Sequence, residues 1–106
     1  MNRESATEVF AALGDPTRQH LLELLAEHGR ASATTLAAPL GVTRQAVHKH
    51  LQVLEQAGLV SAGRRGREVL YTVRTEQLGE TARWMAALAS QWDARLAAIK
   101  RLAEET

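Results

Sequence analysis

The stretch "TRQAVHKHLQVLEQAGLV", residues 43–60, has two sides of opposite character. Val47, Leu51 and Leu54 recur at helical spacing, as on any helix face turned toward a core. Arg44, Gln45, His48, Lys49 and Gln52 fill the remaining surface, and no acidic residue interrupts them before Glu55. Thr43 stands where an N-cap belongs and Gly58 where the helix must stop, so the helix is expected to run to Ala57. Such a front donates hydrogen bonds in many directions, and its partner must be rich in acceptors.

Working upstream, Pro39 and Gly41 break a shorter helix that Ser32 caps and that continues through Thr35, Leu36 and Ala37. The link "PLGVT" between the two helices has the length of a helix-turn-helix, with Leu36, Leu40 and Val42 expected to face inward and fix the crossing. Before it, Asp15 can cap a helix whose first position is Pro16, where a missing N–H costs nothing. Leu21, Leu22, Leu24 and Leu25 give that helix a broad apolar face, and Gly29 closes it. Val9, Phe10 and Leu13 mark another helix over 5–13, ending at Gly14.

Downstream the period changes. In "GLVSAGRRGREVLYTV" Leu59 and Val60 precede a polar turn, and Val69, Tyr71 and Val73 then alternate with Leu70 and Thr72. This predicts a two-stranded hairpin whose glycine-containing loop is Arg64-Arg65-Gly66-Arg67. A helix-turn-helix followed at once by a basic hairpin is a winged helix. The last segment, 76–105, reads as one long helix. Its stripe of Leu78, Ala82, Met85, Leu88, Trp92, Leu96, Ile99 and Leu102 has little chain left to cover it, which points to self-association. Packing of the same stripe on the N-terminal helix is compatible with that.

The chain has 106 residues, is 45% hydrophobic and contains no cysteine. Those values fit one mainly α domain and exclude a disulfide framework, a thiolate metal site and a cysteine nucleophile. The expected layout is N-terminal helices in 1–30, the helix-turn-helix in 32–57, the wing in 59–74 and a dimerisation helix in 76–105. About five helices and a two-stranded wing make up the fold, with the terminal helices at a dimer interface. No run reaches the roughly 18 apolar residues of a membrane span, and Met1-Asn2-Arg3-Glu4 lacks the apolar core of a signal peptide. A cytoplasmic protein is expected. Between Thr43 and Arg74 six cations face two anions, a local charge of +4 that leaves −3 on the rest of a chain whose net charge is +1. A basic face on a mildly acidic body suits a polyanionic partner.

"FAALGDPTRQHLLELL", "LAAPLGVTRQAVHKHLQVLEQAGLV" and "GRRGREVLYTV" resemble, in order and spacing, the winged-helix repressors of the ArsR type. The resemblance covers residues 7–75, and the tail "ARWMAALASQWDARLAAIKRL" resembles a metal-independent branch whose final helix carries spaced tryptophans. It implies a homodimer, joined through its first and last helices, that binds operator DNA and blocks transcription. Metal-sensing members carry a Cys-x-Cys pair where this chain reads "SATTLAAP", or His and Asp ligands on the final helix, which here has Glu80 and Asp93 but no histidine. His48 and His50 diverge around their helix, and His20 and His28 are too far apart to share an ion. No metal or other cofactor is expected, and the residues identify no small-molecule effector.

Within that frame the donor-rich helix enters the major groove. Arg44, Gln45 and His48 are the candidates for base contacts, since Gln pairs with adenine and Arg or Lys with guanine. Lys49 can serve a base or a phosphate. Thr43 caps the helix and can touch a phosphate, and His50, at the margin of the buried face, suits packing or a phosphate hydrogen bond. Arg64, Arg65 and Arg67 at the wing are candidates for phosphates or the minor groove. Phe10, Trp84, Met85, Leu88, Trp92, Leu96 and Ile99 are the candidate dimer contacts. An enzyme is disfavoured, because "GRRGRE" sits in a hairpin and not before a helix, and no motif groups Ser, His and Asp. The remaining alternative is a winged helix used for protein contact without sequence-specific DNA binding.

Overall fold

Among residues 3–105, which the computed structural model describes, five helices and one hairpin follow in the order α1 (Arg3–Leu13), α2 (Pro16–His28), α3 (Ala33–Leu40), α4 (Arg44–Gln56), β1 (Val60–Arg65), β2 (Glu68–Val73) and α5 (Thr75–Glu105). The starts of α2, α3 and α4 are each fixed by a side chain from the sequence. The Asp15 carboxylate accepts from the backbone N–H of Thr17 at 2.8 Å and of Arg18 at 3.2 Å, with Pro16 at the first helical position. Ser32 Oγ accepts from Thr35 N–H at 3.2 Å, and Thr43 Oγ1 from Ala46 N–H at 3.0 Å. These bonds satisfy N–H groups that a helix cannot pair internally.

The turn between α3 and α4 departs from expectation in two details. Pro39 lies inside the last turn of α3, which runs on to Leu40. A proline there cannot bond the Thr35 carbonyl and its ring crowds that carbonyl, so the helix runs only one residue further. Gly41 then adopts a left-handed φ of 65° and ends the helix. Beyond that turn Val42 is exposed, whereas Leu40 is half-buried and Leu36 fully buried. The expected inward role of Val42 is therefore corrected: the left-handed turn leaves only Leu36 and Leu40 of the three on the inner side.

Val9, Leu21, Leu25, Leu36, Val47, Leu51, Leu54, Leu59 and Val60 form the sealed centre, drawn from α1–α4 and the root of the wing. Nearly all are aliphatic, and Tyr71 of β2 is the one aromatic residue in the cluster. Burial of such side chains contributes about 1.5–3 kcal/mol each, which is what holds α4 in place.

β1 is longer than the sequence pattern suggested. It pairs antiparallel with β2 from Val60↔Val73 to Arg65↔Glu68. Arg64 and Arg65, expected in the loop, are strand residues, and the turn is reduced to Gly66-Arg67. Gly66 takes a φ of 64°, as the first position of a II′ hairpin turn requires. On the other side of β2, Ala31 and Tyr71 exchange backbone hydrogen bonds of 2.8 and 3.1 Å, which ties the chain entering α3 to the wing.

α5 has 31 residues, about 46 Å of helix at 1.5 Å per residue. Thr81 is its only buried residue among those described. The molecule measures 69 × 26 × 22 Å with a radius of gyration of 18.6 Å, against roughly 13 Å for a compact chain of this length. The excess is α5 leaving the body.

Candidate nucleic-acid interface

α4 is held from behind by Val47, Leu51 and Leu54, all fully buried, so its orientation is set by the core. Its front opens on a trough of about 840 Å³ lined by Arg44, Gln45, His48, Lys49 and Gln52. Ser32, Ala33 and Thr34 at the start of α3 and Arg67, Glu68, Val69 and Tyr71 of the wing complete the lining. A guanidinium from each of two elements, an ammonium, two carboxamides and an imidazole thus share one open concavity. Glu68 is the only carboxylate in that lining. The set favours an anionic, acceptor-rich partner with a planar edge to be read by amide and guanidinium groups.

The nine residues expected at this site do not all converge. Arg44, Gln45, His48, Lys49 and Arg67 line the trough. Thr43 is exposed and its hydroxyl caps α4. Arg64 and Arg65 border a separate hollow of about 270 Å³ together with Arg30, Ser61, Ala62, Gly63, Leu70 and Thr72. The wing therefore carries cations toward two places, because its arginines are split between a strand and a turn. His50 is half-buried, and its Nδ1 lies 3.2 Å from a terminal nitrogen of Arg18 on α2. Guanidinium only donates, so Nδ1 accepts. This contact belongs to helix packing, the first of the two roles expected for His50.

Several residues of the site escaped the sequence reading. Gln52 shares the polar side of its helix without standing among the candidate contacts, the sequence marks Ser32 only as the α3 cap, and nothing in it marks Thr34. Tyr71 looked like an ordinary apolar strand position. In the structure its ring is buried while its hydroxyl stands 3.4 Å from His48 Nδ1. Burial raises the pKa of the Tyr71 hydroxyl, with a further push from Glu55, so the group stays a protonated donor. Arg30, in the α2–α3 connection, had no periodic or compositional mark at all.

The apolar residues expected at an interface lie along α1 and α5. The rings of Phe10 and Trp84 pack within the chain, with centroids 5.7 Å apart and planes tilted by 58°. Met85, Leu88, Trp92, Leu96, Ile99 and Leu102 are 39–65% exposed, a continuous apolar stripe on the projecting part of α5. Arg95 lies over the Trp92 ring at 5.9 Å from its centroid. His20 and His28 are exposed on α2, and no group of three or more His, Asp or Glu residues is placed to hold a metal ion among the described residues. No helix among them is long and apolar enough to cross a membrane.

Comparison with known proteins agrees with this geometry. A helix-turn-helix domain family profile matches residues 13–61, the span from the end of α1 to the start of the wing. The transcriptional repressor SdpR of Bacillus subtilis is 32% identical over 85 residues, covering 80% of this chain and 93% of that protein. The ArsR-like transcriptional regulator from Rhodococcus sp. RHA1 superposes with a TM-score of 0.84 at 42% identity, covering 93% of this chain and 92% of the other. The homodimeric winged helix-turn-helix DNA-binding domain Mb0332 from Mycobacterium bovis gives a TM-score of 0.66 at 29% identity, covering 88% of this chain and 82% of that one. With 93% of its length matched at 42% identity by a solved ArsR-like regulator, and 80% by a transcriptional repressor, this chain belongs to the ArsR family of winged helix-turn-helix transcriptional regulators.

Proposed function

We propose that this chain acts as a homodimeric repressor that binds an inverted-repeat operator in double-stranded DNA, reading bases with α4 and gripping the backbone with the wing. The observation that carries the reading is the trough, in which five polar side chains of α4 meet Arg67 of the wing over a helix fixed by the core. Arg44, Gln45, His48 and Lys49 are assigned to base edges or adjacent phosphates, Arg64, Arg65 and Arg67 to the backbone or minor groove, and Thr43 to a cap that also reaches a phosphate. The activity is binding, without a catalytic step, and its place is the cytoplasm, with the chromosomal DNA.

Self-association through α1 and α5 is part of the same reading, supported by the exposed stripe from Met85 to Leu102 and by the homodimeric Mb0332 relative. Two-fold symmetry sets two α4 helices roughly 34 Å apart along one face of the duplex, hence the inverted repeat. The reading is of a metal-independent member, supported by "SATTLAAP" at the start of α3 in place of a thiolate pair.

The deciding experiment is fluorescence anisotropy with labelled duplexes that carry the chain's own promoter, compared with scrambled duplexes across a salt series. A specific, salt-sensitive shift with the promoter duplex is expected. Equal binding to both, or binding to neither, rejects the assignment and favours a winged helix used for protein contact. Gln45→Ala is expected to change which duplex is preferred while retaining general affinity for DNA.

A further inference from the structure

His48 is the base-reading candidate whose chemistry is ambiguous in isolation. A neutral imidazole offers a donor on one nitrogen and an acceptor on the other, and either nitrogen can hold the proton. A helix that presents such a ring to a base edge without fixing it would accept opposite edges. In this structure the ring is not isolated. Nδ1 lies 3.4 Å from the Tyr71 hydroxyl, which leaves Nε2 as the other polar atom of the side chain. His48 itself is exposed and lines the trough beside Gln45, Lys49 and Gln52.

Tyr71 is well placed to be the fixed member of the pair. Its side chain is 4% exposed and packs in the core cluster. Its backbone is pinned on one side by the two hydrogen bonds with Ala31 and on the other by the register with Ala62. A phenol hydroxyl is a good donor and a poor acceptor, because its lone-pair density is partly delocalised into the ring. Burial and Glu55 both favour its protonated form. The hydrogen bond therefore runs from Tyr71 Oη–H to His48 Nδ1, and the ring proton is left on Nε2.

We propose that Tyr71 is a positioning residue for operator recognition: it holds His48 as an Nε2–H donor toward the trough, so that His48 selects an acceptor on a base edge (guanine O6 or N7, adenine N7 or thymine O4) over an amino group. This rests on the operator-binding reading above and specifies the sense of one contact within it. The buried tyrosine reads no base itself. It removes one of the two signs His48 could show, which is how a degenerate side chain acquires a preference.

The test has two arms. In the free protein, ¹⁵N-resolved NMR of the imidazoles is expected to show His48 with Nδ1 unprotonated and Nε2 protonated, and Tyr71→Phe to shift the ring toward a mixture. In the bound state, operator duplexes selected from a random-sequence pool are mutated one base pair at a time. The wild type, His48→Ala and Tyr71→Phe are then compared. Both variants are expected to lose discrimination, on the order of five-fold, at the same base pair. Thermal melts accompany both, since Phe keeps the ring and its packing.

A wild-type His48 that carries its proton on Nδ1 overturns the proposal without need of any variant. So does a Tyr71→Phe protein that keeps both the tautomer and the discrimination. If the wild type binds all sequences alike, the operator reading fails instead, and the tautomer in the free protein still reports on the Tyr71–His48 bond alone.

Discussion

Arg18 and His50 lie 32 positions apart in the chain, yet a terminal guanidinium nitrogen of one stands 3.2 Å from Nδ1 of the other. The same guanidinium donates to the carbonyl of Ala12 from Nε at 2.6 Å and to that of Ala11 at 3.2 Å. One side chain on α2 therefore satisfies the end of α1 and braces the middle of α4. Carbonyls in the last turn of a helix have no partner within it, so a planar, multi-donor cation suits the place.

Arg18→Ala removes all three bonds at once. Hydrogen bonds from a charged donor contribute about 1.5–3 kcal/mol each when buried, but this group is partly exposed, so about 1–2 kcal/mol in total is expected. That loss lowers the midpoint of thermal unfolding by roughly 4–16 °C in a chain of this size. His50→Ala leaves two of the three bonds intact and should cost less, with operator preference unchanged. A changed base preference in His50→Ala would give that residue a base contact beside its packing role.

The two tryptophans have different surroundings, and their removal should separate two effects. Trp84 packs on Phe10 within the chain, so Trp84→Ala loosens α5 from α1 as well as any interface. Trp92 is 55% exposed, and Trp92→Ala should leave the melting of a dilute monomer nearly unchanged. Loss of an interface anchor costs about 2 kcal/mol or more, so the dimer constant should weaken roughly thirty-fold or beyond. Analytical ultracentrifugation over a concentration series measures this, and a Trp92→Ala protein that dimerises as tightly as the wild type would remove the residue from the interface.

The salt response tests both sides of the divided wing. Arg67 shares the trough with α4, whereas Arg64 and Arg65 border the second hollow with Arg30. Arg67→Ala should reduce the slope of log affinity against log salt by about 1 per bound chain, the amount expected for one lost phosphate contact. Arg65→Ala should reduce it as well, since Arg65 is assigned to the backbone or minor groove, and an unchanged slope would leave only the trough against the duplex. Equal reductions would mean that the wing inserts with both sides against the backbone.

Acid should weaken the start of α2 in a defined window. The hydrogen bond from the Arg18 backbone N–H holds the Asp15 carboxyl below its ordinary 3.8, aided by Thr17 N–H and the nearby positive charge and opposed by partial desolvation. A carboxyl whose folded pKa is lowered contributes stability that is present above its unfolded pKa and disappears as pH falls through the folded value. The melting difference between wild type and Asp15→Ala should therefore be constant at neutral pH and shrink below about pH 3.8. A difference that does not change with acid would show that the cap acts through shape alone.

Much of the architecture was legible because its causes are local. Asp15-Pro16, Ser32 and Thr43 each announce a helix start within three residues, and Gly29, Gly41 and Gly58 announce the ends. The two-sided pattern of α4 identifies both its buried and its open face, since a period of 3.6 residues assigns faces directly. The strand β1 was harder: Ser61, Ala62, Gly63, Arg64 and Arg65 have no apolar alternation, and only pairing with β2 makes them a strand. Arg64 and Arg65 were consequently grouped with Arg67, although the structure parts them.

Sequence alone, then, determined the order of elements, the donor-rich front of α4 and the apolar stripe of α5, because capping, glycine turns and hydrophobic periodicity all act over a few residues. Tertiary structure decided what those faces meet. The Arg18 brace to His50, the Ala31 bridge to Tyr71 and the Tyr71 hydroxyl at His48 join residues remote in the chain, and contacts of that kind leave no periodic trace. They arise only when the aliphatic core fixes α2, α4 and the wing against one another, which brings side chains within hydrogen-bond reach that no local rule connects.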